Sequence, residues 1–245
     1  MSRIIFLGDL HGNIVATEAM AAHIKTLSPD EIWFLGDAVG KGPSNCETCD
    51  WVKENCGHIL KGNWDEWICK SYFRRDIPGD IYAKENSFFY NQIGEERIKW
   101  LDSLPLEDHI LISGLNIRLV HGRPLAGLYQ GYDSDDDLRD GFYSKDRSIK
   151  YDSIICADSH RPYVRSLHDG YSVNTGSVGN SIGVPRAHAL LVEGELGGKE
   201  LSPISFTILS VPYDNQKEAQ IALATEGLPL KEAYAKEITT GIYSR

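Results

Sequence analysis

"RIIFLGDLHGN" (residues 3–13) is the stretch on which the fold turns. Ile4, Ile5, Phe6 and Leu7 are apolar on both faces of an extended chain, and the run stops at Gly8 and Asp9. A helix is expected over about 13–27, with Ile14, Val15, Ala19, Ala22 and Ile24 apolar. "EIWFLGD" (31–37) repeats the strand, a second helix is expected from about 44 to 55, and "HILKGN" (58–63) reads as a third strand. Strands apolar on both faces and separated by helices describe βαβ units and a parallel sheet. All three strands end in Gly followed by Asp or Asn.

Further on, the pattern changes. Residues 66–103 read as mainly helical, ending in "GEERIKWLDSLP", which Pro105 terminates. "HILISG" and "NIRLVHG" (109–114 and 116–122) read as antiparallel strands. More strands are expected at 151–157, about 163–167, 170–175, 186–193 and 203–211. The tail, from about 213 to 245, reads as two short helices broken at Gly227–Pro229. Nothing resembling a linker interrupts residues 1–245, so one domain with a helical tail is expected.

With 245 residues, 42% hydrophobic and 24% charged, the composition is that of a globular protein with a sizeable core. No apolar run approaches the roughly 18–20 residues that span a bilayer, and the N-terminus carries no signal-peptide pattern. A cytoplasmic protein without a membrane partner is expected. The net charge of −10 argues against a nucleic-acid duplex as partner. A small phosphorylated substrate stays open, because bound cations reverse the sign of a local field.

Five cysteines make an odd count in a chain with no secretory context, so a disulfide framework is not expected. Cys46 and Cys49 form a C-x-x-C, but the downstream spacing to Cys56 and Cys69 lacks the second close pair of a zinc ribbon. At i and i+3 the two read as small hydrophobes on one helix face. The acidic run Asp133, Asp135, Asp136, Asp137 and Asp140 does not match a Ca²⁺-binding loop and reads as a solvated loop or helix start.

Ligands of α/β proteins bind beyond the carboxyl ends of parallel strands. Five strand ends carry an oxygen or imidazole donor there: "GDLHG" (Asp9, His11), "GDAVG" (Asp37), "GN" (Asn63), "VHG" (His121) and "CADSH" (Asp158, His160). Glycine beside most of these donors lets the backbone turn sharply enough to aim several side chains into one pocket. Mixed carboxylate, amide and imidazole donors suit borderline divalent cations such as Mn, Fe or Zn.

This order resembles the calcineurin-like metallophosphoesterase family, whose pattern is D-x-H, GD, GNH[DE], an isolated H, and GHxH. The resemblance runs from about residue 4 to residue 194, and "VNTGSVG" (173–179) followed by "PR" is similar to a loop of the bacterial single-domain members. It implies an α/β fold, a four-layer α/β/β/α sandwich with two mixed sheets, and a phosphohydrolase with two divalent metal ions between them. By position, Asp9, His11, Asp37 and His160 would hold the first metal. Asp37 would bridge to the second, which Asn63 and His121 would also bind. A carboxylate has two oxygens with which to bridge, unlike an amide or an imidazole. Asp37, Asn63, Trp64 and Asp65 are thereby placed at the reacting centre.

Two positions depart from the pattern. Trp64 stands where GNH[DE] has its histidine, the residue that stabilises the transition state or protonates the leaving group. Asp158 stands where GHxH has its first histidine, and it remains a competent metal ligand. Loss of a general acid penalises alkyl monoesters, whose leaving group needs a proton, more than anhydrides or aryl esters. An indole at the pocket rim also offers a face for a base or aryl group. Members that cleave diadenosine tetraphosphate are similar in having Trp here, so a nucleotide of that kind is one expected substrate. Lys41 and Arg186 read either as contacts for phosphate oxygens or as surface charges, and Asn174, with Ser177, is expected to shape or line the substrate loop. A second reading is a degenerate relative that binds a nucleotide or a partner without turnover.

Overall fold

The structure is a computed structural model that describes residues 1–123 and 128–245. Two five-stranded sheets lie face to face. In the first, β1 (Ser2–Leu7), β2 (Glu31–Phe34) and β3 (His58–Ile59) run parallel, and β9 (Ala187–Gly194) and β10 (Ser205–Val211) extend it antiparallel beyond β1. The second has the order β4 (Glu107–Ile112), β5 (Leu115–Val120), β6 (Ser153–Cys156), β8 (Gly170–Asn174) and β7 (Tyr163–Leu167). Both are mixed: β5, β6 and β8 are parallel, while β4 and β7 are antiparallel edges.

Strand alternation distributes β1 between two cores. Ile4 and Phe6 join Trp33 and Leu35 against Ile117, Leu119, Ile155 and Val173 of the opposite sheet. Ile5 and Leu7 face the other way, onto helices. That helical layer comprises α1 (Ile14–Leu27), α2 (Asn45–Asn55), α3 (Asn63–Phe73), α5 (Ser87–Ser103, broken at Gly94), α7 (Asn215–Ala224) and α8 (Lys231–Thr240). The layer over the second sheet is thinner, with α6 (Asp135–Arg139), a 3₁₀ turn and loop residues covering Ile154 and Cys156. Between α3 and α5 sits the short α4 (Ile81–Glu85). The tail helices break where expected, and Tyr234, Ala235 and Ile238 of α8 belong to the same core as α1.

Two expectations need correction. "HILKGN" pairs as a strand only at His58 and Ile59, and Asn63 already opens α3. Only glycine fits at position 62, because a Cβ there would run into the Asp37 carboxylate. Of the C-x-x-C pair, Cys49 is fully buried, whereas Cys46 is half-exposed and bonded to the Gln92 carbonyl; all five thiols are free. The acidic run does open a helix, with Asp135, Asp136 and Asp137 in the first turn of α6.

Candidate metal centre

The ends of β1, β2, β5 and β6 and the start of α3 converge at one edge of the sandwich. Three loops are tied together there by their backbones. Asp9 N–H donates to the Gly36 carbonyl (2.9 Å) and His11 N–H to that of Asp37 (3.1 Å). Gly179 N–H donates to the Asp9 carbonyl (2.9 Å), a close approach in which a Cβ at 179 would strike Leu10. Ser177 Oγ adds a bond to the same Asp9 carbonyl (2.8 Å). Asp9, His11, Asp37, Lys41, Asp158 and His160 all have φ between 48° and 63°. Left-handed backbone costs a non-glycine residue about 1–2 kcal/mol, and six cases at one edge mark a place where geometry is held for function.

One donor atom from each of Asp9, His11 and His160 lies within 4.8 Å of the others, and the same holds for Asp9, Asp37 and His121. Asp9 is common to both groups. Asp37 Oδ2 stands between them, 3.5 Å from His11 Nε2 and 3.3 Å from His121 Nε2. Asp158 Oδ1 lies 3.6 Å from His121 Nε2 and accepts from Asn63 Nδ2 at 3.1 Å. All seven residues expected as ligands are therefore brought together.

The donor chemistry fits cations. Each histidine presents its Nδ1 to a backbone carbonyl: His11 to Val39 (3.3 Å), His121 to Leu35 (2.8 Å) and His160 to Asn180 (2.6 Å). A carbonyl accepts only, so Nδ1 holds the proton and Nε2 points a lone pair inward. Asp9 Oδ1, Asp37 Oδ2, Asn63 Oδ1 and His121 Nε2 are buried with no hydrogen-bond partner. Orphaned acceptors of this kind are costly unless something positive sits among them. Burial, and next the Lys41 charge, holds His11 well below its ordinary pKa, leaving it a neutral ligand. Burial also opposes a proton on His121, yet Asp37, Asp158 and Asp9 drive its pKa well above the usual value. A cation there would satisfy those same carboxylates.

Above the cage opens a cavity of about 410 Å³, lined by Asp37, Lys41, Trp64, Asp158, His160 and Arg161, with Gln130, Tyr132 and Tyr243 around it. A larger groove of about 860 Å³ runs along Arg75–Glu85, but it contains none of the ligand residues. Trp64 lies over Gly40, where a Cβ would collide with its ring, and its edge meets the His11 ring at 5.9 Å between centroids. Its backbone N–H donates to Asp37 Oδ1 (2.8 Å). Lys41 Nζ contacts Asn180 Oδ1 (3.0 Å) and His160 Nε2 (3.4 Å). Burial, and then the charge of Arg245, lowers its ammonium to about 8.

Three expected site residues are placed differently. Asp65 is fully buried and cannot reach a substrate. Its carboxylate accepts from the backbone N–H groups of Asp37 (2.8 Å), Ala38 (3.0 Å) and Gly62 (2.9 Å), so it fixes the Asp37 loop onto α3. Asn174 is likewise buried, bonded to the Ala157 carbonyl (2.6 Å) and the Gly176 N–H (2.8 Å), and it shapes the loop without facing the cavity. Arg186 is exposed beyond a tight turn and is absent from the cavity lining. Tyr132, Arg161, Asn180 and Tyr243 were not singled out by sequence, since none sits in a strand-end pattern.

Residues 2–195 match the family model described as the calcineurin-like phosphoesterase superfamily domain. The chain belongs to that superfamily. A relative, the uncharacterized protein MJ0912 of Methanocaldococcus jannaschii, is 28% identical over 206 residues, covering 73% of this chain and 76% of its own. A metallophosphoesterase from Sphaerobacter thermophilus is similar in fold, with a TM-score of 0.74 at 22% identity over 98% of this chain and 99% of that one. So is hypothetical protein PH1004 from Pyrococcus horikoshii OT3, with a TM-score of 0.73 at 19% identity over 100% and 99%. In this calcineurin-like domain, then, the carboxylate and imidazole cage occupies the sheet edge onto which the family pattern was read.

Proposed function

We propose that the protein is a metal-dependent phosphohydrolase acting on phosphodiesters or phosphoanhydrides whose leaving group departs without a proton. The class of dinucleoside polyphosphates satisfies that condition. The observation that carries this reading is the convergence of orphaned acceptors beneath a cavity in which Trp64 replaces an acid–base residue. Two divalent ions, Mn, Fe or Zn, held by Asp9, His11, Asp37, Asn63, His121, Asp158 and His160 would acidify a water and clamp phosphoryl oxygens.

The chain's own residues set the selectivity. Lys41 offers a buried ammonium to a phosphoryl oxygen. Trp64 walls one side with an indole N–H that does not titrate. Tyr132 and Tyr243, 78% and 62% exposed, stand beside the same cavity with flat faces suited to a base or aryl group.

The test compares diadenosine tetraphosphate, bis-p-nitrophenyl phosphate and a sugar monophosphate at matched metal. Preference for either activated substrate supports the reading, and preference for the sugar phosphate overturns it. The degenerate, binding-only alternative predicts bound metal with no turnover of any of the three.

A further inference from the structure

Glu237, on α8, lies 57 residues from Asn180 in sequence and is fully buried. Its Oε2 accepts from Asn180 Nδ2 (3.2 Å) and from Arg245 Nε (3.1 Å), and its Oε1 accepts from Ser244 N–H (2.9 Å). Asn180 in turn offers Oδ1 to Lys41 Nζ (3.0 Å) and its backbone carbonyl to His160 Nδ1 (2.6 Å). The amide has only one workable orientation. Reversed, it would set its NH₂ against the Lys41 ammonium and its oxygen against the Glu237 carboxylate. The carboxylate therefore dictates which face Asn180 shows to Lys41.

We propose that Glu237 is a positioning residue: through Asn180 it sets Lys41 as the phosphate-contacting cation of the cavity, and it ties that setting to the C-terminal segment Gly241–Arg245. The tie is built on both sides. Gly241 closes α8 in the left-handed region (φ 70°), and its carbonyl accepts from Gly183 N–H at 2.8 Å. The same segment places Tyr243 on the cavity wall. Loss of Glu237 would release the wall and the cation together.

This inference rests on the phosphate-binding part of the proposed function, so its test reads binding, not turnover. Inorganic phosphate is titrated calorimetrically into the Mn²⁺-loaded protein and into Lys41→Met, Glu237→Met, Glu237→Gln and the double variant Lys41→Met/Glu237→Met. Lys41→Met should weaken phosphate by about tenfold or more, as loss of a charge-assisted contact does. Glu237→Met should weaken it comparably, and the double variant no further, because both act on one contact. Glu237→Gln keeps an acceptor for Asn180 and should recover most of the loss; it is the absence of a further loss in the double variant that a purely structural role of Glu237 does not predict.

Should Glu237→Met lose its cooperative unfolding transition, Asn180→Ala cuts the same connection from the other side and carries the same expectation. Unchanged phosphate affinity in Glu237→Met or Asn180→Ala, or losses that multiply in the double variant, would overturn the proposal. Intact phosphate binding without turnover of any ester would overturn the hydrolase reading and leave the Glu237 role standing. Absence of phosphate binding in the native protein would overturn both.

Discussion

His11 Nε2 and His160 Nε2 face each other at 3.1 Å, and both rings direct Nδ1 at a backbone carbonyl. Two lone pairs therefore meet, with the Asp9 carboxylate 3.4–3.7 Å from both. The Lys41 ammonium, 3.4 Å from His160 Nε2, offsets part of this repulsion and a bound cation would offset the rest, so metal binding should be linked to folding stability. Mn²⁺ at about a thousand times its dissociation constant should add roughly 4 kcal/mol. Thermal unfolding with excess Mn²⁺ and with EDTA checks this, and equal melting temperatures would contradict it.

On the proposed function, Trp64 decides which esters are cut. Trp64→His restores a protonatable side chain at the family position and should raise hydrolysis of an alkyl monoester relative to bis-p-nitrophenyl phosphate. General acids contribute about 10²–10⁴-fold, so a relative gain of tenfold or more is expected. The ratio of kcat/KM values for the two substrates is the measurement.

Asp65 accounts for four backbone N–H groups between β2 and α3, those of Asp37, Ala38, Val39 and Gly62. Asp65→Ala leaves those donors buried and unpaired, which should cost about 3–5 kcal/mol. Because Asp37 N–H is one of them, metal affinity should fall as well. Urea unfolding and metal titration measure the two effects, and a loss of affinity at unchanged stability would contradict this account.

Glu218 is buried against Tyr234, whose hydroxyl donates to it at 3.1 Å. Burial pushes its carboxyl from 4.5 up to about 7. The folded state thus keeps a proton that the unfolded chain releases above about 4.5. Its contribution to stability is complete below that pH, declines as pH rises to about 7, and is gone beyond. Glu218→Gln removes the decline: at pH 8 it should be more stable than the native protein by up to about 3 kcal/mol, and at pH 4 nearly equal. Melting temperatures at the two pH values check the sign.

Much of the centre was legible because its donors are local to strand ends. Asp9, His11, Asp37, His121 and His160 each follow a run whose apolar residues announce a strand, and for all but His160 a neighbouring glycine announces the turn. Asn63 was found by the same logic although it begins a helix, since Gly62 before it marks the close approach to Asp37 whichever element follows. Arg186 and Asn174 show where motif position falls short, because neighbouring residues on one loop can point to solvent, core or cavity. The Asn180–Glu237 contact had no local signal at all. It joins a loop to a helix 57 residues later, and an Asn and a Glu at unrelated positions carry no spacing to read.

The central claim is a pair of divalent ions held by this cage and used for hydrolysis. Its most direct test is metal analysis of the purified protein together with Mn²⁺-supported hydrolysis of bis-p-nitrophenyl phosphate by the native chain and by Asp37→Asn. The account predicts two ions per chain in the native protein and at least about a hundredfold loss of activity in the variant. A native protein that takes up no metal, or an Asp37→Asn variant that hydrolyses the diester as well as the native protein does, would contradict it.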